Sequence, residues 1–260
     1  MRNLNTFSIR INTLKISTEQ CRLELSNSDW DFETVDWCDY ALLIQGDKSE
    51  FFDSKFVQDG WCYIQSLSSL LPGILLEPQI DDIVLDLCAA PGGKTMHVAA
   101  LMNNTGQIIA NDVSRPRLYK TERLLKEYGV TNVTTNLGKG EFIWKEYENH
   151  FDRVLLDAPC SMGQVYANKN LRRLAMRQKY LLKSAFTALK SGGRLVYSTC
   201  TVTEQENQQV VAWLQKQCLE AKIITPNLPE SLKIFLTTEG YLEINHNPLF
   251  DPFFVAVIEK

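Results

Sequence analysis

The chain has 260 residues, of which 45% are hydrophobic and 22% charged, and it carries a formal net charge of −4. That length suits one catalytic domain with a small appendage and a sizeable core; no apolar run reaches membrane-spanning length, and Met1 to Asn5 lack the apolar stretch of a signal peptide. Seven cysteines without a Cys-x-x-Cys pair, and only three histidines, argue against both a disulfide framework and a zinc site, so a reducing, cytoplasmic setting and thiol chemistry are expected, with no metal.

In chain order, residues 1–50 read as a small α/β unit, with a strand around Ser8 to Asn12 and a helix opening at Ser17-Thr18-Glu19. This region is acidic, with ten carboxylates from Glu19 to Asp53 against Arg22 and Lys48. Residues 51–79 read as an entry segment ending in Pro72-Gly73 and Pro78. From residue 80 strands and helices alternate. Ile83 to Leu87 is a short apolar run of the kind buried on both faces of a parallel sheet. A glycine-rich turn follows, then a helix from Thr95 to Met102 and a second strand from Gln107 to Val113. Leu118, Thr121, Leu125 and Tyr128 mark one face of the next helix. Asn132 to Leu137 and Arg153 to Ala158 are the third and fourth strands. A long helix is expected to end near Lys190, before Ser191-Gly192-Gly193. Arg194 to Thr199 is the fifth strand, a helix carries Val210, Val211 and Leu214, and Phe253 to Ile258 closes the chain. This order predicts an α/β fold with a mostly parallel, doubly wound, Rossmann-like sheet, whose ligand lies at the carboxyl ends of the strands near the switch point.

The turn after the first of these strands, Cys88-Ala89-Ala90-Pro91-Gly92-Gly93-Lys94-Thr95, nearly matches a phosphate-binding loop. Cys88 replaces the first glycine such a loop needs, and Pro91 removes a backbone donor, which disfavours a nucleoside triphosphate. The alternative is a nucleoside cofactor lying against two consecutive glycines. Asp112 closes the second strand, where a Rossmann-like site keeps the acid that binds ribose hydroxyls, although a carboxylate there also serves as an ordinary helix cap. Together the loop and the acid favour S-adenosylmethionine.

The fourth strand ends in Asp157-Ala158-Pro159-Cys160 and the fifth in Ser198-Thr199-Cys200. In a doubly wound sheet these strands are neighbours, so both thiols emerge beside the cofactor; Cys21, Cys38, Cys62 and Cys218 are read as small buried hydrophobes. Methylation of a pyrimidine at carbon 5 has a use for two such thiols. A thiolate added at carbon 6 makes carbon 5 nucleophilic, and a base must later remove the carbon 5 proton so that the thiolate leaves. Cys160, Cys200 and Asp157 meet these needs. From Ala158 to Thr203 the chain has no acidic residue but carries Lys169, Arg172, Arg173, Arg177, Lys179, Lys183, Lys190 and Arg194. Such a stretch attracts a polyanion, and a solvated helix face explains it equally well.

At these residues the sequence resembles the Nol/Nop/Sun family of RNA cytosine-5 methyltransferases. The resemblance runs from Arg10-Ile11-Asn12-Thr13-Leu14-Lys15 through the Asp86 to Thr95 segment and Asp157-Ala158-Pro159-Cys160-Ser161. It continues through Gly192 to Thr201, Glu206-Asn207 and Phe253-Phe254. It implies a class I methyltransferase fold after a small α+β, RNA-recognition-like subdomain. It also implies Cys200 as nucleophile, Cys160 in product release, and Asp157 with Lys94 holding the cytosine. The cofactor falls to Cys88 through Lys94, Asp112, Arg117 and Asp157. Backbone contacts to RNA fall to Lys169, Arg172, Arg173 and Arg177.

Three positions depart from the family's pattern. Lys139 stands where an aspartate usually reaches the adenine amine, Met162 where glycine usually follows Pro-Cys-Ser, and Ser66 where an acid usually follows Gln65. The compact chain resembles shorter members, so a monomer acting on tRNA is expected. Ribosomal RNA, or a cofactor- and RNA-binding scaffold without turnover, is the alternative.

Overall fold

The structure is a computed structural model and describes residues 6–162, 168–245 and 247–260. Alternation along the first strand, β1 (Thr6–Ile11), decides how the chain begins: Ile9 and Ile11 enter a core with Cys21, Leu25, Leu42, Ile44 and Phe51, leaving Arg10 to the opposite face. The unit continues with α1 (Thr18–Ser26), β2 (Asp31–Val35), β3 (Cys38–Gln45), α2 (Lys48–Asp53), α3 (Lys55–Gln58) and β4 (Cys62–Ile64). Its antiparallel sheet has the order β2-β3-β1-β4, the β-α-β-β-α-β arrangement of a split motif. The sheet therefore extends past residue 50, into the stretch read as an entry segment. Three residues of β4 are too few to show a strand period in sequence.

A second part follows with α4 (Leu71–Leu76), β5 (Ile83–Asp86), α5 (Gly93–Leu101), β6 (Gln107–Asp112), α6 (Arg115–Glu127) and β7 (Val133–Leu137). It is completed by β8 (Phe151–Asp157), α7 (Asn168–Ala188), β9 (Leu189–Thr199), α8 (Gln208–Gln217), β10 (Lys222–Ile224), α9 (Glu230–Lys233), β11 (Leu242–Ile244) and β12 (Phe253–Glu259). The sheet order is β10-β12-β9-β8-β5-β6-β7, with β11 paired to β12. Strands β7, β6, β5, β8 and β9 are mutually parallel, and β12 lies antiparallel beside β9. This is the expected doubly wound sheet. The chain winds outward from β5 to β7, then returns to lay β8 on the other side of β5. The switch point between β5 and β8 is where a ligand crevice opens.

Both faces of the sheet are covered. Val84, Ile108, Leu155, Val196 and Val255 pack with residues of α4 and α5, while Leu85, Val154, Leu156, Leu195 and Phe254 pack with α7 and α8. Burial on both faces is why these strands read as continuous apolar runs. The Ser191-Gly192-Gly193 segment is a correction to the sequence reading. Helix α7 already ends at Ala188, and β9 runs through the glycines. There the register on β8 shifts from Phe151↔Leu189 to Arg153↔Arg194, with Gly192 at φ +75°. The glycines accommodate a strand irregularity rather than a helix stop.

The small unit is fastened to the second part by the outer face of β1 and its continuation. Asn12 donates to the carbonyls of Gly60 and Tyr128, both at 2.9 Å. Arg10 donates to the Gln65 side chain at 2.9 Å and to the Gly93 carbonyl at 3.5 Å. Burial pulls the Arg10 guanidinium down to about 10, which leaves it a cation at neutral pH.

Candidate active site

Strand β5 ends at Asp86, and the loop behind it turns sharply into α5. Gly92 sits at φ +106°, and a side chain there would meet Thr121 at 2.9 Å. A Cβ on Gly93 would meet the Tyr63 ring at 2.8 Å. The two glycines thus let the loop pass between α6 and the small unit, with its backbone at the crevice. A cleft of about 340 Å³ opens beside it, lined by Leu87, Cys88, Ala90, Asp112, Val113, Arg117, Gly140, Asp157, Cys160, Arg177 and Cys200 among others. A second hollow of about 240 Å³ shares Cys88, Ala90 and Asp157 with it and is bounded by Tyr63, Gln65, Asp86, Gly93 and Lys94. Loop residues Ala89 and Pro91 line this second hollow rather than the first.

Asp112 ends β6 almost fully buried, accepting from the Ser114 amide at 2.8 Å and facing Arg117 at 3.2 Å. One of its oxygens thus holds the turn ahead of α6, and the other faces the half-exposed Arg117 of that helix. Arg117 also donates to the Ala90 carbonyl, so the acid, the arginine and the loop form one connected wall.

The thiols meet. Register between β8 and β9 sets Asp157 opposite Ser198, and the two loops that follow bring Cys160 Sγ to 2.9 Å from Cys200 Sγ. The hydrogen bond shared with Cys160 lowers the Cys200 thiol; burial and the Asp157 charge oppose this, and the Lys94 ammonium assists. Cys160 shifts the other way, pushed up by the same hydrogen bond and by burial. Of the pair, Cys200 is the one favoured as thiolate.

Lys94 donates to Asp157 at 2.7 Å, while Ser198 donates to the other Asp157 oxygen at 2.8 Å. Burial pulls the Lys94 ammonium down, but Asp157, Asp86 and Cys200 outweigh it and leave it above its usual value. Asp86 is buried behind this pair and accepts from Thr95 at 2.7 Å. Burial lifts its carboxyl to about 7, opposed by the Thr95 hydrogen bond and reinforced by the charge of Asp157. Burial likewise pushes the Cys88 thiol up, so this third cysteine stays protonated.

Cys88, Ala90, Asp112, Arg117, Asp157, Cys160 and Cys200 are brought together as the sequence suggested, with Lys94 adjoining them. The basic helix divides. Arg172 and Arg173 are exposed on α7. Arg177 instead pairs with Glu141 at 2.9 Å and lines the cleft, because the carboxylate that neutralises it comes from outside the acid-free stretch. The side chain of Lys169 lies outside the described residues. Lys139 is exposed beside Val113, Phe142 and Arg173. Met162 has φ +51°, a left-handed conformation that glycine adopts without strain. Gln65 accepts from Arg10 rather than facing solvent.

Sequence reasoning did not assign roles to Asp86, Gln178 or Glu206, all buried. Asp86 stood next to the loop and Glu206 in a motif already noticed. Gln178 carried no signal apart from its place on an amphipathic helix.

Residues 73–259 match the model of a family described as 16S rRNA methyltransferase RsmB/F. Ribosomal RNA small subunit methyltransferase F of Aeromonas salmonicida is 38% identical over 277 residues, covering 97% of this chain and 57% of that protein. The enzyme of the same name from Aliivibrio fischeri is 36% identical over 272 residues, with the same coverage of 97% and 57%. The chain thus spans little over half the length of these curated relatives. Among solved structures, a methyltransferase homolog protein from Pyrococcus horikoshii is 31% identical with a TM-score of 0.86, covering 100% of this chain and 87% of that one. NSun6 from the same organism is 24% identical with a TM-score of 0.86, covering 98% and 91%; at that identity the likeness speaks for the fold.

The raised Asp86 carboxyl has a consequence for stability. An unfolded aspartate titrates near ~4, whereas folded Asp86 does so at about 7. Between these values the folded protein keeps a proton that the unfolded chain has lost, so stability falls as the pH rises through that window. Asp86→Asn should remove this contribution: from about pH 5 to 8 the variant should lose on the order of 3 kcal/mol less unfolding free energy than the parent. Superimposable pH profiles from urea titrations of the two proteins would show that Asp86 is already ionised in the folded state.

Proposed function

The chain belongs to the RsmB/F family of methyltransferases, and on that premise we propose that it methylates carbon 5 of a cytosine in RNA, with S-adenosylmethionine as methyl donor and Cys200 as covalent nucleophile. The observation that carries this reading is the thiol pair at 2.9 Å, with Cys200 lowered and Cys160 raised. The small-subunit ribosomal name of the relatives favours ribosomal RNA over the tRNA expected from compactness.

The cleft suits the cofactor better than a triphosphate. Asp112 and Asp157 line it, and Lys94, the lysine a phosphate-binding loop keeps for phosphate, is already committed to Asp157, so a polyphosphate would meet like charge at both acids. Asp112 and Arg117 would hold the ribose end, and the Cys88 to Lys94 backbone would lie along the rest. When bound, this cofactor supplies an electrophilic methyl group on a sulfonium.

The chain's own residues then account for each proton. Asp157 would accept from a cytosine amine, a contact that uracil cannot return, and the remaining N–H donors of Lys94 would serve the ring carbonyl. Cys200 enters as the thiolate and adds to carbon 6, which makes carbon 5 nucleophilic. Once Cys200 is bonded to carbon, the hydrogen bond that raised Cys160 is gone and its proton can pass to solvent. After carbon 5 has gained its methyl group the Cys160 thiolate takes the remaining proton there, and the carbon 6–Sγ bond breaks to return Cys200 as a thiolate. Arg172 and Arg173 are assigned to the RNA backbone, and Arg177 to the cleft wall.

Two outcomes are expected. Asp112→Ala should weaken S-adenosylmethionine binding by about tenfold or more, the loss expected for charge-assisted hydrogen bonds, in a calorimetric titration that shows no heat with ATP; tight ATP binding would sink the cofactor assignment. Cys200→Ala should abolish methyl transfer and form no adduct with RNA. Cys160→Ala should still attack, and so accumulate a denaturant-resistant protein–RNA band. A band in Cys200→Ala alone would exchange the two roles, and full activity in both variants would refute the covalent route.

A further inference from the structure

The two thiol loops leave different strands, yet both are tied to one dipeptide at the start of α8. Glu206 is fully buried, and its carboxylate accepts from the Ser161 amide at 3.0 Å, the Ser161 hydroxyl at 2.5 Å and the Gln178 side chain at 2.9 Å. The same Gln178 nitrogen donates to the Pro159 carbonyl at 2.9 Å. Pro159 and Ser161 flank Cys160, so this network fixes the Cys160 loop on both sides. The next residue, Asn207, is also buried; it accepts from the Thr199 hydroxyl at 2.6 Å and donates to the Thr201 carbonyl at 2.8 Å. Thr199 and Thr201 flank Cys200. The two loops also touch directly, Ser161 Oγ to Thr201 Oγ1 at 3.1 Å.

We infer that Glu206 and Asn207 are positioning residues that together set the separation of Cys160 and Cys200, each gripping one thiol loop. Adjacent residues cannot move independently by much, since their Cα atoms stay about 3.8 Å apart. Anchoring both loops to one peptide unit therefore converts two flexible loop ends into one rigid pair. Buried polar networks rigidify as their members are satisfied: Tyr197 donates to the Glu206 carbonyl at 2.5 Å, and both Glu206 carboxylate oxygens are engaged, while Gln178 Oε1 is left without a partner among the described residues. Neither side chain reaches the reacting atoms, so their effect passes through the sulfurs.

The spacing claim stands apart from the reaction, whereas its chemical consequence rests on the covalent reading above. The test therefore has two arms. In the first, the protein is treated with diamide and the Cys160–Cys200 disulfide is followed by peptide mass mapping. The buried Cys21–Cys62 pair in the small unit, 3.5 Å apart, serves as the internal control. Glu206→Ala and Asn207→Ala should each slow the Cys160–Cys200 bond by about tenfold, as displacements near 1 Å do in proximity-driven reactions, with Cys21–Cys62 unchanged. Glu206→Gln should recover part of the rate, because its carbonyl still accepts from Ser161. If the alanine variants do not fold, Glu206→Gln and Thr199→Val, which remove single hydrogen bonds, should still slow it by about threefold. Rates for Cys160–Cys200 that match the parent in every folded variant would overturn the inference, as would equal slowing of both pairs.

In the second arm the same variants are incubated with S-adenosylmethionine and RNA. Glu206→Ala, with a loosened Cys160 loop, should accumulate the RNA adduct; Asn207→Ala, with a loosened Cys200 loop, should lose it. Slowed disulfide formation without opposite changes in adduct would sustain the positioning role and remove the covalent reading instead.

Discussion

Adjacent parallel strands deliver their ends to the same place, and the register of β8 on β9 is the constraint from which the site follows. With Asp157 opposite Ser198, the serine hydroxyl reaches the carboxylate and the two following loops start side by side. A slip of one residue would exchange the two faces of β9, carrying Ser198 off the carboxylate and Tyr197 out of the core. The register is pinned by apolar side chains on both faces of the sheet and by β12, which runs antiparallel along the far side of β9. The chemistry at the edge is thus held by packing well behind it.

Burial gives the site its electrical character. Asp86, Asp157, Lys94 and Cys200 lie close enough that each shifts another, and in a partly desolvated setting such interactions are several times stronger than in water. Lys94 is central: it neutralises Asp157 and favours the thiolate at Cys200. Its ammonium also lies over the Phe253 ring at 5.7 Å, so the last strand of the sheet helps hold it. The small unit closes the other side. Tyr63 packs where a side chain on Gly93 would sit, and Arg10 reaches the Gly93 carbonyl. Loss of the small unit would therefore free the loop as well as remove a surface.

The winding of the sheet and the meeting of the two cysteines were legible because they depend on chain order and apolar runs. Asp112 was legible as well, as an acid of the cleft that also holds the turn ahead of α6. What stayed hidden depended on contacts between distant segments. Arg177 reads as one charge in a basic run until Glu141, far upstream, pairs with it. Arg10 opens a motif the sequence shares with the family, but only the fold shows that its face of the strand is covered by the second part of the chain. Gln178 looks like an ordinary polar residue and Glu206 like one member of a motif without a role; only the fold shows that both are buried around the Cys160 loop. Three-residue β4 and the glycine irregularity in β9 were misread because short segments give periodicity nothing to act on.

The central claim is that Cys200 forms a bond to carbon 6 of a cytosine whose carbon 5 is then methylated. It is tested most directly with a small-subunit ribosomal RNA transcript carrying 5-fluorocytosine in place of cytosine. Fluorine at carbon 5 cannot leave as the proton does, so the adduct has no route to resolve. Incubation with S-adenosylmethionine, nuclease digestion and peptide mass mapping should find a methylated fluoropyrimidine on the peptide containing Cys200. Label on the Cys160 peptide, or RNA released without any adduct, would contradict the account.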